Sequence, residues 1–100
     1  MPESATAPSA PGARSAAIAA WLEAWFRARG PVPDDLATAN VFTAGVIDSF
    51  GVIELIEAAE ARFGMRFSEA HFQDRRFPTI PGLAEIIAPI ATTVPPLEQS

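Results

Sequence analysis

DSFGVIELIEAAEARFG, residues 48–64, has the pattern of a helix with one apolar and one acidic side. At about 100° per residue, Val52, Leu55, Ile56, Ala59 and Phe63 fall on one face, while Glu54, Glu57, Ala58 and Ala61 fall on the other. Asp48 or Ser49 can cap the start, and Gly64 can end the helix in the left-handed conformation that glycine adopts without cost. Phe50 and Ile53 lie off the apolar stripe, beside the acidic residues and close to Ser49. They are therefore candidate exposed apolar contacts.

Upstream, PVPDDLATANVFTAGVI (residues 31–47) reads as a long loop, because two prolines, an Asp pair and Gly45 interrupt any period. Its apolar residues Val32, Leu36, Val41, Phe42, Val46 and Ile47 are expected to tuck over the helices. A connection of this length in a small domain is often functional. Asp34 and Asp35 alone make a poor metal site, and a solvated turn is the simpler reading. Before the loop, SAAIAAWLEAWFRARG sets Ile18, Trp21, Leu22, Trp25 and Phe26 at helical spacing. Ser15 is a plausible N-cap, and Gly30-Pro31 a strong stop. Burying those five side chains would contribute on the order of 10 kcal/mol as an upper bound.

Downstream, Ser68 can cap a short helix near 69–74. Thr79 can cap a last helix near 80–88, with Pro81 in its tolerant first turn and Pro89 beyond its end. Leu83, Ile86, Ile87 and Ile90 would face the core. No alternating Val/Thr-rich stretch suggests a sheet. The expectation is an all-α bundle of three main helices and one short one, with a long loop before the second. Residues 1–13 and 91–100 carry few large apolar side chains and are expected to be flexible tails around a domain at 14–90.

The composition narrows the function. The chain has 100 residues, no Cys, one His and a formal net charge of −5, with a pI near 4.6 and a mean hydropathy of +0.19. Without Cys there is no disulfide framework, thiolate metal site or cysteine nucleophile. The acidic balance argues against nucleic acid, whose binding rests on clustered cations, and suits basic protein partners. No signal peptide and no run of about 20 apolar residues is present. A monomeric, cytoplasmic protein is the expectation, and the initiating Met with polar ends favours a discrete one.

GVIDSFGVIELIEAAEARF, residues 45–63, resembles the modification site and second helix of acyl and peptidyl carrier proteins. The matching elements are Asp48-Ser49, the bulky apolar Phe50, then Glu54-Leu55, Glu60 and Phe63. FPTIPGLAEII, with Thr79 and Leu83, resembles the family's approach to its final helix. The likeness covers about 75 residues, a size near the lower limit for folding without disulfides or metal. The G-x-x-D-S-F-G form, with Gly45 four residues before the serine and Phe in place of the more usual Leu, is similar to discrete aminoacyl carriers such as D-alanyl carriers. It is also similar to some secondary-metabolism carriers.

The resemblance implies a carrier and not an enzyme. A phosphopantetheinyl transferase would join 4′-phosphopantetheine from coenzyme A to the Ser49 hydroxyl as a phosphodiester, with magnesium on the transferase side. A phosphate at a helix N-terminus gains about 0.3–1 kcal/mol from the dipole at an exposed site. The arm's thiol would hold an acyl or aminoacyl group as a thioester. Further partners would be a loading enzyme and downstream synthase or transferase domains. Fatty acyl, polyketide, nonribosomal-peptide and aryl carriers share these residues, so the cargo stays open. Asp48 would contact the transferase, or serve only as a helix cap. Phe50, Ile53, Glu54 and Glu57 form the candidate partner-binding surface, suited to an apolar groove with a basic rim.

Two other readings compete. An unmodified helical interaction module descended from carriers would use the same acidic helix only for docking. A Ser49–His71–Asp hydrolase has the residue types but lacks a strand-borne nucleophile elbow.

Overall fold

Helix boundaries fall where capping chemistry places them. In the computed structural model, which describes residues 11–94, four helices follow one another: α1 (Pro11–Arg29), α2 (Ser49–Phe63), α3 (Glu69–Phe72) and α4 (Ile80–Ile87). No strand occurs among the described residues. Asp48 is the N-cap of α2 and Thr79 that of α4, with their side-chain oxygens accepting from Gly51 N and Gly82 N at 2.8 and 3.1 Å. Gly64 ends α2 at φ 60°. The all-helical class and the order of elements agree with the sequence pattern.

Four features add to the sequence pattern or differ from it. First, α1 already includes Pro11, the first described residue, so Ser15 lies inside the helix and is not its N-cap. Residues 11–13 are therefore helical, and the rest of the expected N-terminal tail lies outside the described residues. Second, the expected C-terminal tail is tied down where it begins. Thr92 N and Thr93 N donate to Phe63 O at 2.8 and 3.1 Å, and the Thr92 hydroxyl donates to Gly64 O at 2.8 Å. These bonds satisfy carbonyls that the end of α2 leaves open. Residues 95–100 lie outside the described residues.

Third, the buried face of α2 comprises Gly51, Leu55, Ala59 and Phe63, while Val52 and Ile56 are only half-buried. Those four are spaced by four, so contact follows an i±4 ridge and crosses the helix face obliquely. Fourth, α3 is a single turn that stops at Phe72, short of the expected 74.

The core sits between α1 and α4. Ile18, Leu22 and Phe26 of α1 are buried, whereas Trp21 and Trp25 pack at its edge. Trp21 lies edge-on to Phe63 with ring centroids 5.1 Å apart. Helix α4 is buried nearly all round, at Ile80, Gly82, Leu83, Ala84, Ile86 and Ile87, and Ile90 beyond it is half-buried. The two helices run antiparallel. Arg14, near the start of α1, donates to Ala88 O at 2.7 Å and Ala91 O at 3.0 Å just past the end of α4. A cation there satisfies open carbonyls and complements the negative end of the helix dipole. No helix among the described residues is long and apolar enough to cross a membrane.

Candidate functional site

The long loop delivers Asp48 and Ser49 as a fixed pair. Leu36, Val41 and Ile47 are buried, and Val32, Phe42 and Val46 pack against the same core. Asn40 Oδ1 accepts from Phe42 N and Thr43 N at 3.0 and 3.1 Å, building a side-chain-closed turn. Val41 N donates to Pro78 O at 2.9 Å, while Val41 O accepts from both Val46 N and Ile47 N. Gly45, at φ 74°, makes the reversal between them in a conformation that L side chains rarely adopt. Buried Ile47 therefore anchors the residue immediately before the cap.

At the cap, Asp48 Oδ1 takes the Gly51 N–H, and Ser49 opens α2 with its side chain exposed. The cap is thus Asp48, and the Ser49 hydroxyl is not needed to start the helix. Gly51 is a close-approach glycine. A Cβ there would lie 2.7 Å from Ile47 Cγ1 and 3.1 Å from Arg29 Nη2, so its absence lets α2 sit directly on the loop's end with the Arg29 guanidinium beside it.

Phe50 is 74% exposed and Ile53 55% exposed. Both stand off the buried ridge, as their helical positions predict. Glu57 is exposed and forms no ion pair among the described residues. Glu54 differs: its carboxylate pairs with Arg29 at the end of α1, and the Arg29 guanidinium also lies 4.8 Å from the Trp25 ring centroid. Half of the acidic pair next to Ser49 is thus compensated within the molecule. Sequence reading missed Arg29. A basic residue in the last turn of α1 was visible, but its neighbour across the loop was not.

The other candidate groups stand elsewhere. His71 Nδ1 accepts from Ser68 N at 2.9 Å at the start of α3, and its ring lies edge-on to Phe67. No hydrogen bond joins Ser49 to His71 among the described residues, so no serine–histidine pair is assembled. Asp34 and Asp35 are exposed, with Asp35 O accepting from Thr38 N and Ala39 N in a turn. No group of three or more His, Asp or Glu among the described residues is placed to hold a metal ion. Phe72 is a third exposed large apolar side chain. It belongs to an aromatic cluster with Phe67 and Phe77, and Phe77 in turn stacks on Phe42 of the long loop.

A cleft of about 270 Å³ opens beside the cap, between the end of α1 and the end of the loop. Phe26, Arg29, Gly30, Pro31, Gly45, Val46, Ile47 and Asp48 line it. Comparison of the chain with family models, with curated proteins and with solved structures found no match.

Proposed function

We propose that the chain is a carrier protein whose Ser49 accepts 4′-phosphopantetheine and presents a thioester-bound acyl or aminoacyl group to partner enzymes. The observation that carries this reading is the placement of Ser49. It is an exposed hydroxyl at the first position of a helix already capped by Asp48, at the end of a loop pinned by Ile47. An exposed side chain with no capping duty at a loop–helix corner is free to be a nucleophile and to hold a long substituent clear of the bundle.

Attachment is a phosphoryl transfer. The Ser49 oxygen attacks the phosphorus bonded to the pantetheine oxygen in coenzyme A, and its proton passes to a base of the transferase. The pyrophosphate P–O bond breaks, releasing adenosine 3′,5′-bisphosphate. When attached, the group supplies the thiol that this Cys-free chain lacks. The chain's own residues then hold and present: Asp48 fixes the helix start, and Phe50 and Ile53 offer an apolar contact flanked by Glu57. The partners on this reading are a phosphopantetheinyl transferase, a loading enzyme and downstream synthase or transferase domains, met by a monomeric carrier in the cytoplasm.

The exposure of Phe50 and Ile53 also suits an unmodified carrier-like interaction module, which needs the docking face but no arm. Intact mass after incubation with a promiscuous phosphopantetheinyl transferase, magnesium and coenzyme A separates the two. The carrier gains one phosphopantetheinyl group, and Ser49→Ala gains none. Modification of Ser49→Ala, for instance at Ser68, would overturn the site, and an unmodified wild type would leave the module.

A further inference from the structure

The cleft beside Asp48 joins three kinds of surface. Val46 gives it one half-buried apolar side chain, with Phe26 and Ile47 buried behind it, and Arg29 puts a cation on its rim. The third surface is bare peptide backbone. A Cβ built on Gly30 or Gly45 would meet nothing within 4 Å, so both glycines border open space. The carbonyls of Gly45, Val46 and Ile47 accept no hydrogen bond from any described residue, whereas the N–H groups of the same three donate inward to Phe42 O and Val41 O. The end of the loop thus spends its donors on Val41 and Phe42 and leaves its own three carbonyls open. Arg29 contributes the opposite polarity. Its Nη1 serves Glu54, and a guanidinium carries five N–H donors in all.

A guest matched to this mainly polar lining has an N–H for the loop carbonyls, a carbonyl or hydroxyl for Arg29 and a small apolar group for Val46. An amide-bearing chain with a short methyl-bearing segment meets that description. The volume lies just under the usual range for small-molecule sites, so it suits a segment and not a whole cofactor. Asp48 is a lining residue, and the cleft therefore opens one residue from Ser49.

We propose that this cleft seats the proximal pantoyl segment of the phosphopantetheine arm, with its geminal methyl groups over Val46 and its amide between the loop carbonyls and Arg29. The proposal rests on the carrier reading of Ser49. It makes Arg29 a positioning residue that biases the resting arm toward the α1 side of the site, away from the face carrying Ile53. The arm then has a docked and a released position, and a partner that binds at Phe50 and Ile53 meets the arm only after release.

The test is nuclear magnetic resonance on the full chain after transferase treatment, with intact mass recorded first. Expected are nuclear Overhauser contacts from the pantoyl methyls to Val46, and amide shifts between apo and holo forms centred on residues 30 and 45–47. Arg29→Gln should lower the ratio of docked to released arm about tenfold, the effect of one charge-assisted hydrogen bond. Its thermal unfolding reports separately whether the fold is kept. The wild-type contacts decide the matter even if that variant is unstable. A holo protein whose shifts stay within 48–53, with no methyl contacts to the cleft, overturns the docked arm and leaves the carrier reading standing. A chain that gains no mass removes both.

Discussion

Replacing Phe50 and Phe63 separately by alanine removes the same side chain from two points on α2 with opposite surroundings. Phe63 is fully buried and meets the edge of Trp21 at 5.1 Å. Truncating such a residue loses the transfer energy and leaves a cavity, about 3–5 kcal/mol in all. At roughly 4–8 °C per kcal/mol for a domain of this size, the midpoint should fall by about 12–40 °C. Phe50 is 74% exposed, so only about a quarter of its side chain is removed from water. Full burial of a Phe side chain is worth about 1.5–3 kcal/mol, which leaves roughly 0.4–0.8 kcal/mol at stake. Urea unfolding followed by tryptophan fluorescence measures both, since Trp21 reports directly on Phe63. The initial rate of phosphopantetheine transfer then gives the second axis. Phe50→Ala should lose no more than about 0.8 kcal/mol of stability and about 5- to 30-fold in rate, the effect of 1–2 kcal/mol at a docking contact. Phe63→Ala should lose stability, and its folded fraction should be modified normally. If Phe50→Ala unfolds as readily as Phe63→Ala, or is modified at the wild-type rate, the docking surface is misplaced.

Other predictions concern the helix ends and the surface. Asp48→Ala removes the Oδ1–Gly51 N bond and should cost about 0.5–2 kcal/mol. Ser49→Ala, at an exposed helical position, should stay within about 0.5 kcal/mol of wild type, and a larger loss by urea titration would mean that Ser49 shares the cap. Gly64→Ala would force an L residue to φ 60° and set its Cβ 2.1 Å from Thr92 Oγ1. A loss of about 1–3 kcal/mol is expected, with Thr92 and Thr93 amide exchange rising as the bonds to Phe63 O fail. The Asp74 carboxyl is held down to about 2 from an ordinary 3.8, chiefly by the Arg76 side-chain hydrogen bond and then by the Arg76 backbone N–H. A depressed carboxylate adds stability above its unfolded pKa, and that contribution disappears as pH falls from about 3.8 through about 2. A carboxyl-carbon titration of Asp74 should therefore have its midpoint near 2, and Arg76→Gln should raise it. An unchanged midpoint would refute the assignment to Arg76.

Short-range chemistry is written directly into the order of residues. Asp48, Thr79, Gly64 and Pro89 mark helix ends through capping, left-handed φ and a missing N–H, all of which act within a few residues. The positions of Phe50 and Ile53 off the buried face of α2 follow from the helical period alone. So do the residues that anchor α1, because Ile18, Leu22 and Phe26 recur at helical spacing. Ser49 at the head of α2 is likewise legible as a candidate, since its place depends only on the start of that helix.

What the sequence left open depends on which elements meet. The buried ridge of α2 runs through Gly51 instead of Val52, because the glycine permits close approach to Ile47 and the Arg29 guanidinium. Periodicity specifies a face but not a crossing angle. The Arg29–Glu54 pair, the Arg14 bonds past the end of α4 and the Thr92 bonds to the end of α2 each join residues at least 25 positions apart. Which of several equivalent arginines or threonines makes such a bond is decided by chain packing, which no local rule encodes. The cleft beside Asp48 has the same origin. Its walls come from the end of α1 and the end of the loop, and only their meeting creates the space next to Ser49.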